Sequence, residues 1–549
     1  MIIKLLRNKT ALILSAVFSV FSLIGWVFCT YPEDDFCFLS DLKWLIIVLV
    51  IVGFFMLYRM LILIFQLLVG RYRPNDGMVR PVYKIVYDIF EEHPFLFAFI
   101  LSLIIYGIWW MAFFPGTLHP DMTQHLYQAF GVNPLSRKAP IFLTKFVGII
   151  MTIAKVRFLD DNVGMMIYVG GLYLLQSIVI GYMFYIFKKL NTPYLFRVFS
   201  LVYVFIIPVL SIWVVDFGKD TPYYLFMLLF ICGLADISDS YDKGNNVPLY
   251  KFVLLIISGL GASWSRNNGS MMIIVTMIIS AVLFKRLRVR FLLSCLICIA
   301  FISGFELFMD SHYNVEPSPV GESYSVPLQT YVSYIREYTD ELSEEETDMI
   351  SELFSLEPGE LAHEYDPMSS DPVKKHFIMQ PSDEQMKLFW KCYKKAFFDH
   401  PMVFIRGFLR HTYGYFYPGQ DCYLNRIAVY SSDFFTEYFS FRYLWVASPL
   451  RGALIYYSEW VYKLPVINYI YRPAVQMLIM ISLSAFVLSG KKKSFISVFI
   501  PSILMVFVIF SPVNAYFRYM LPVFVALPIN LACALRSADI CVKYRLKKE

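Results

Sequence analysis

Residues 140–155, PIFLTKFVGIIMTIAK, decide how this chain is laid out. The stretch is apolar, but Lys145 stands inside it. Counted as a membrane span, it would put Lys188, Lys189 and Arg197 outside and invert every later loop. Read as an interfacial or re-entrant helix, it leaves the basic loops on one side, as the positive-inside rule requires. That choice fixes the rest of the topology.

Outward from it, apolar runs lie near 11–29, 43–68, 95–114, 162–187, 194–215, 221–235, 250–264, 270–284, 290–308, 471–489, 494–513 and 517–536. A helix needs about 20 apolar residues to cross roughly 30 Å of hydrocarbon. The expectation is an all-α, polytopic membrane helix bundle of about 12 spans with both termini cytoplasmic. Of 549 residues, 58% are hydrophobic and 16% charged, against about 25% charged in an ordinary soluble domain. The net charge of +6 sits in short loops such as 285–290 and 491–493, which reads as orientation rather than nucleic-acid binding. The first loop, YPEDDFCFLSD, is acidic and falls outside. The N-terminal run resembles a signal peptide but is too long and is read as a retained helix.

Three runs, 221–235, 250–264 and 270–284, have 15 residues each, or about 22 Å of helix. Their outer ends could stop below the surface and leave a depression. Three domains follow: 1–309, an N-terminal bundle with the outer loop 115–161; 310–470, an extracytoplasmic, mostly helical insertion; and 471–549, the last helices and a basic tail. In the insertion, Ser343/Glu346 and Ser382/Gln385 form capping boxes, and Leu328, Tyr331, Val332 and Ile335 make one apolar helix face. Stretch 401–416 has the composition of a surface-lying helix. Cys232, Cys295, Cys298 and Cys533 read as packing residues, while Cys29 with Cys37, and Cys392 with Cys422, are outer pairs left open.

Four polar clusters fall at the outer ends of the runs. FFPGTLHPDMTQHLYQ (113–128) follows the third run and brings His119, Asp121, Gln124 and His125 close to the membrane. A carboxylate there can take a proton or hold a hydroxyl. DFGKDTPYY (216–224) offers Asp216, Lys219 and Asp220 at a helix start, with Thr221 and Pro222 as cap and first turn. A helix N-terminus beside a lysine suits a phosphate. The two aspartates could take a divalent cation or substrate hydroxyls, but without a third ligand they are weak metal evidence, so no metal site is assigned. SWSRNNGS (263–270) places Arg266 and Asn267 where a guanidinium needs an anion, and phosphate matches it. PVNAYFRYMLP (512–522) adds Asn514 and Arg518. The bland alternatives are a solvated loop, a polar turn and an interfacial Arg-Tyr belt. Walker, G-x-G-x-x-G, H-E-x-x-H and G-x-S-x-G motifs are absent.

These motifs carry a resemblance. A Pro-Gly turn after an early span, with an Asp in the first large outer loop, is similar to the GT-C superfamily of polytopic membrane glycosyltransferases. FPGTLHPDMTQHLYQAFG, KDTPYYLF, SRNNG, SVPLQTYVSYIREYTDELSEEE with YDPMSSDPVK, and YFRYMLP look like an uncharacterised bacterial family of multi-pass membrane proteins. The resemblance implies Asp121 as the base, with Lys219, Arg266 and Arg518 near a donor phosphate. One departure stands out: SRKAP (136–140) replaces a His-rich stretch that related sequences often carry.

The expected function is transfer of a sugar from a polyprenyl-phosphate donor to a cell-wall or surface-polysaccharide acceptor, at the outer face of the cell membrane. Asp121 would be catalytic; His119, Gln124, His125, Asp216, Lys219, Asp220, Arg266, Asn267, Asn514 and Arg518 would bind substrate. The alternatives are a transporter or flippase of lipid-linked saccharides, for which the spans carry few midplane polar groups, and a non-catalytic envelope assembly protein.

Overall fold

The structure, a computed structural model, describes residues 9–30, 43–71, 77–79, 87–422, 434–489, 492–505, 512–538 and 544–546. Arg73, Arg80, Lys84, Cys37, Lys491 and most of the basic tail lie outside them. The described chain is overwhelmingly helical. Its bundle begins with α1 (Lys9–Thr30), α2 (Lys43–Arg71), α3 (Pro94–Ala112), α4 (Pro120–Ala129), α5 (Ile141–Phe158) and α6 (Asp161–Lys189). It continues with α7 (Tyr194–Phe205), α8 (Val209–Trp213), α9 (Asp220–Asp242), α10 (Leu249–Ser265), α11 (Gly269–Leu283) and α12 (Arg288–His312).

Seven helices among the described residues are long and apolar enough to cross a membrane: Lys9–Thr30, Trp44–Ile64, Pro94–Ala112, Asp161–Lys189, Asp220–Asp242, Lys285–His312 and Phe517–Ser537. The other five expected spans differ for identifiable reasons. Run 194–215 breaks at Pro208 into α7 and α8, because proline removes a helix donor and clashes with the preceding turn. α10 and α11 keep 17 and 15 residues. Run 471–489 is one helix over Pro473–Ser489, 17 residues long, and it is bent by 77° at Arg472 from the preceding helix Pro465–Tyr471. Run 494–513 is helical over Ile496–Leu504, and 506–511 lies outside the described residues.

The third short run is not short. α9 has 23 residues, about 35 Å. The charges of Asp236 and Asp239 suggest a helix end, yet the helix runs through them fully buried. Lys189 and Lys251 pair with Asp236, and Lys243 (2.5 Å) and Arg536 (3.0 Å) with Asp239. These partners satisfy the buried carboxylates, which would otherwise be costly. They also tie the ends of α6, α9, α10 and the last helix together, the very ends expected on the cytoplasmic side.

Residues 320–412 carry their own core. Their main helices are α13 (Ser325–Glu337), α14 (Glu344–Phe354), α15 (Asp383–Asp399) and α16 (Pro401–Thr412). Leu328, Tyr331, Val332, Ile350, Leu353, Phe389 and Phe404 pack together. Both expected capping boxes close. α16 packs on α13: Val403 and Phe404 enter this core, and Arg406 pairs with Glu337. Residues 434–471 join the bundle instead, through Phe439, Phe441, Tyr462 and Tyr471. The helical insertion therefore has its separate core over about 320–412, not over all of 310–470. Cys392 and Cys422 are both free thiols. The chain closes with α17 (Ser448–Lys463), α18 (Pro465–Tyr471), α19 (Pro473–Ser489), α20 (Ile496–Leu504) and α21 (Phe517–Ser537).

Candidate functional site

Four distant segments converge at the end of the bundle opposite the Asp236/Asp239 ion pairs. A two-residue parallel bridge sets the frame: Thr117–Leu118 pairs with Asp216–Phe217, so the loop after α3 lies beside the loop before α9. Gly218 makes this approach feasible. A Cβ there would stand 2.2 Å from Asp216 Oδ2 and 3.4 Å from His119 Cβ.

His119 caps α4 by accepting the Asp121 N–H at Nδ1 (3.2 Å). The cap turns Asp121 toward the N-terminus of α21. There Arg518 pairs with Asp121 and, through Nε, with Asp220 Oδ2 at 2.5 Å. Its Nη1 lies 3.4 Å from His119 Nε2. Lys219 Nζ reaches Asp121 Oδ2 at 2.9 Å, and Arg266 Nη1 reaches Asp220 Oδ1 at 3.1 Å. Three cations thus interleave with two carboxylates drawn from positions 121 to 518.

Exposure ranks the members. Asp220 is 2% exposed and Arg518 10%; Arg266 is 13%, Lys219 19% and Asp121 34%. Arg518 is therefore the buried keystone, and Lys219, Arg266 and Asp121 face the opening. Arg266 also lies over the Tyr519 ring, 4.9 Å from its centroid, and 5.6 Å from that of Tyr223. Both tyrosines fall inside motifs singled out above, but were not assigned to the site. Their signal was helical spacing: Tyr223 is one turn after Asp220, and Tyr519 neighbours Arg518.

The titrating groups divide by surroundings. Burial tends to raise the Asp121 carboxyl, but Arg518 and Lys219 outweigh it and hold the group far below the usual carboxylate range. Asp216 goes the other way: burial, then the neighbouring Asp220 charge, push it well up and favour the neutral acid. Neither of its oxygens has a hydrogen-bond partner among the described residues. Burial, reinforced by Arg518, lowers His119 to about 4. Burial lowers His125 to about 3, and Thr144 holds its Nδ1 at 2.7 Å. With both histidines and Asp216 neutral, the three cations exceed the two carboxylates by one charge.

His119, Asp121, Asp216, Lys219, Asp220, Arg266 and Arg518 therefore share one cluster, with His125 a turn away on α4. Gln124 is exposed beyond it. Asn267 is exposed and donates to the Arg137 carbonyl at 2.9 Å. Asn514 is fully buried and serves another purpose: its Oδ1 accepts the Gly414 N–H at 3.0 Å and its Nδ2 donates to the Arg410 carbonyl at 3.1 Å. With Ser370 N–H bonded to the Pro512 carbonyl (2.7 Å), it fastens the helical insertion to the head of α21. The expected Thr221 cap does not form; that hydroxyl donates to the Trp213 carbonyl (2.5 Å), and α9 starts at Asp220. Among the described residues no group of three or more His, Cys, Asp or Glu is placed to hold a metal.

No curated protein and no solved structure matches the chain. A family model described as a family of unknown function (DUF6020) matches residues 132–540, which takes in Asp216, Lys219, Asp220, Arg266 and Arg518 but begins after Asp121. The match spans well over half of the 549 residues, and the chain belongs to this family of unknown function.

Proposed function

We propose that this protein is a multi-pass cell-membrane glycosyltransferase of GT-C-like type. It would span the bilayer with both termini cytoplasmic, its shorter helices completing about 12 crossings. A polyprenyl-phosphate sugar would be its donor and a cell-wall or surface polysaccharide its acceptor, at the outer face. The observation that carries this reading is the cluster itself: Lys219 and Arg266 reach solvent beside a half-open Asp121, with one positive charge in excess. Such a site suits a phosphodiester, which bears a single negative charge, next to a hydroxyl to be deprotonated.

The chemistry would run as follows. The donor phosphate binds Lys219 and Arg266. It draws Lys219 away from Asp121, so that carboxylate loses part of the positive field that suppresses its basicity. The acceptor hydroxyl gives its proton to Asp121 as its oxygen attacks the anomeric carbon. The carbon–oxygen bond to phosphate breaks, and polyprenyl phosphate leaves with the electron pair. Stabilising that anion is the cations' main contribution. Arg518, locked between two acids, positions rather than binds.

An apolar cavity of about 1020 Å³ supports a prenylated donor. Phe18, Phe54, Leu61, Tyr203, Leu527 and Leu531 are among its walls. Leu527 is nine residues beyond Arg518 on α21, or about 14 Å along the axis. A headgroup at the cluster could thus send its tail into hydrocarbon-lined space. The test is release of polyprenyl phosphate by purified protein supplied with polyprenyl-phosphate hexoses and pentoses. Release by the parent, cut about 10²–10⁴-fold in Asp121→Asn, supports the reading; no release from any donor removes it.

A further inference from the structure

The first turn of α21 brings more than Arg518 to the charged cluster. Tyr519 stands next to it, and its N–H closes the turn on the Tyr516 carbonyl at 3.2 Å. The Tyr516 and Tyr519 rings meet edge to face, 5.0 Å apart at 78°. Arg266, arriving from the end of α10, lies over Tyr519 at 4.9 Å and within 5.6 Å of the Tyr223 centroid. Both distances are inside the roughly 6 Å reach of a cation–π contact. An arginine side chain loses rotamer freedom when it grips a ligand, and two flanking rings restrict this one beforehand.

The guanidinium held in this way has donors to spare. Among the described residues its one polar contact is the Nη1 ion pair with Asp220 Oδ1 at 3.1 Å. None of its nitrogens is a buried atom without a partner, so the unbonded N–H groups reach accessible space at the mouth of the cluster. Tyr519 matches it. The residue is half-buried, and its hydroxyl has no hydrogen-bond partner among the described residues yet is not enclosed. The Tyr223 hydroxyl is the contrast: it is unpartnered and sealed in, so only its ring can take part. A free phenol beside a free guanidinium edge suits an anion with several acceptor oxygens, as a phosphate has. The phenol adds a donor without adding charge, which keeps the site's single positive excess matched to a phosphodiester. We infer that Tyr519 completes the phosphate site: its ring holds the Arg266 guanidinium in place, and its hydroxyl donates to the same phosphate. The inference rests on the phosphate-binding part of the function proposed above, and not on sugar transfer.

The test measures binding of farnesyl phosphate, with farnesol as the uncharged control, to the full-length protein in micelles by native mass spectrometry. Tyr519→Phe keeps the ring and loses the hydroxyl. It should raise Kd about tenfold, the scale of one hydrogen bond to a charged group. Tyr519→Leu loses the ring as well and should raise Kd about threefold further, the scale of an exposed cation–π contact. In an Arg266→Met background the ring has no guanidinium to hold, so Tyr519→Leu and Tyr519→Phe should then weaken binding equally. A merely structural tyrosine would show the same gap between its two variants in both backgrounds, and that result overturns the inference. So does Tyr519→Phe binding like the parent, Tyr519→Leu binding like Tyr519→Phe when Arg266 is present, or a parent that binds farnesol as well as farnesyl phosphate. Phosphate binding that depends on Tyr519, in a protein that transfers no sugar, sustains the site and removes the transfer reading instead. Sugar transfer by the parent that Tyr519→Phe leaves unchanged does the reverse.

Discussion

Removing the Arg518 guanidinium should destabilise the bundle strongly, and the loss should be coupled to Asp220. In the structure Arg518 Nε stands 2.5 Å from Asp220 Oδ2, and both groups are almost wholly buried. Two unit charges about 4 Å apart attract by about 4 kcal/mol at an effective dielectric near 20. Breaking a buried pair from one side costs about 3–5 kcal/mol, because the other charge is stranded. Arg518→Met leaves Arg266 beside Asp220 and Lys219 beside Asp121. Among the described residues, Asp220→Asn takes from Arg266 its carboxylate partner and leaves it the Tyr223 and Tyr519 rings. Each variant should therefore lose about 3–5 kcal/mol in SDS-titration unfolding followed by tryptophan fluorescence in mixed micelles. The double variant should lose less than the sum by about 2–3 kcal/mol, the scale of coupling between contacting residues. Additivity within about 0.5 kcal/mol would refute the shared cluster.

Further outcomes follow from other parts of the molecule. His119 and His125 titrate near 4 and 3 when folded and near 6.5 when unfolded; the unfolded chain then binds more protons between those values, so stability falls as pH drops below 6.5. Each should cost about 2 kcal/mol at pH 5 relative to pH 7.5, and His125→Gln should remove its share of that pH dependence in thermal unfolding. Gly218→Ala forces a Cβ against Asp216 Oδ2 and should cost about 1–3 kcal/mol, read as lowered abundance and melting temperature; an unchanged melting temperature would contradict the close approach. At the opposite end, Asp239→Asn takes a carboxylate partner from Lys243 and Arg536. It should cost about 1–3 kcal/mol while leaving the affinity of the folded fraction for polyprenyl phosphate unchanged.

Much of the site was legible because charge is expensive at the ends of apolar runs. Arg266, Arg518 and Lys219 each stood out alone, and the loop charges assigned them to one side. What local sequence did not show was partnership. Arg518 pairs with residues about 300 and 400 positions upstream, and only the folded bundle brings them together. The same absence of partners misled the reading elsewhere. Asp236 and Asp239 look like a helix end until Lys189, Lys251, Lys243 and Arg536 are seen to neutralise them. Asn514 looks like a site residue because it neighbours Arg518, yet its amide is spent on Gly414 and Arg410. Nothing in the spacing of Phe142 and Trp264 announces that the two rings stack.

Binding of polyprenyl phosphate to the purified protein, quantified by native mass spectrometry, tests the assignment of the cluster most directly. The parent should bind it, and Lys219→Met and Arg266→Met should each raise Kd about 10–100-fold, the equivalent of about 1.4–2.8 kcal/mol. A parent that binds polyprenyl phosphate no better than polyprenol, or variants that bind it as well as the parent, would contradict a phosphate site at this end of the bundle.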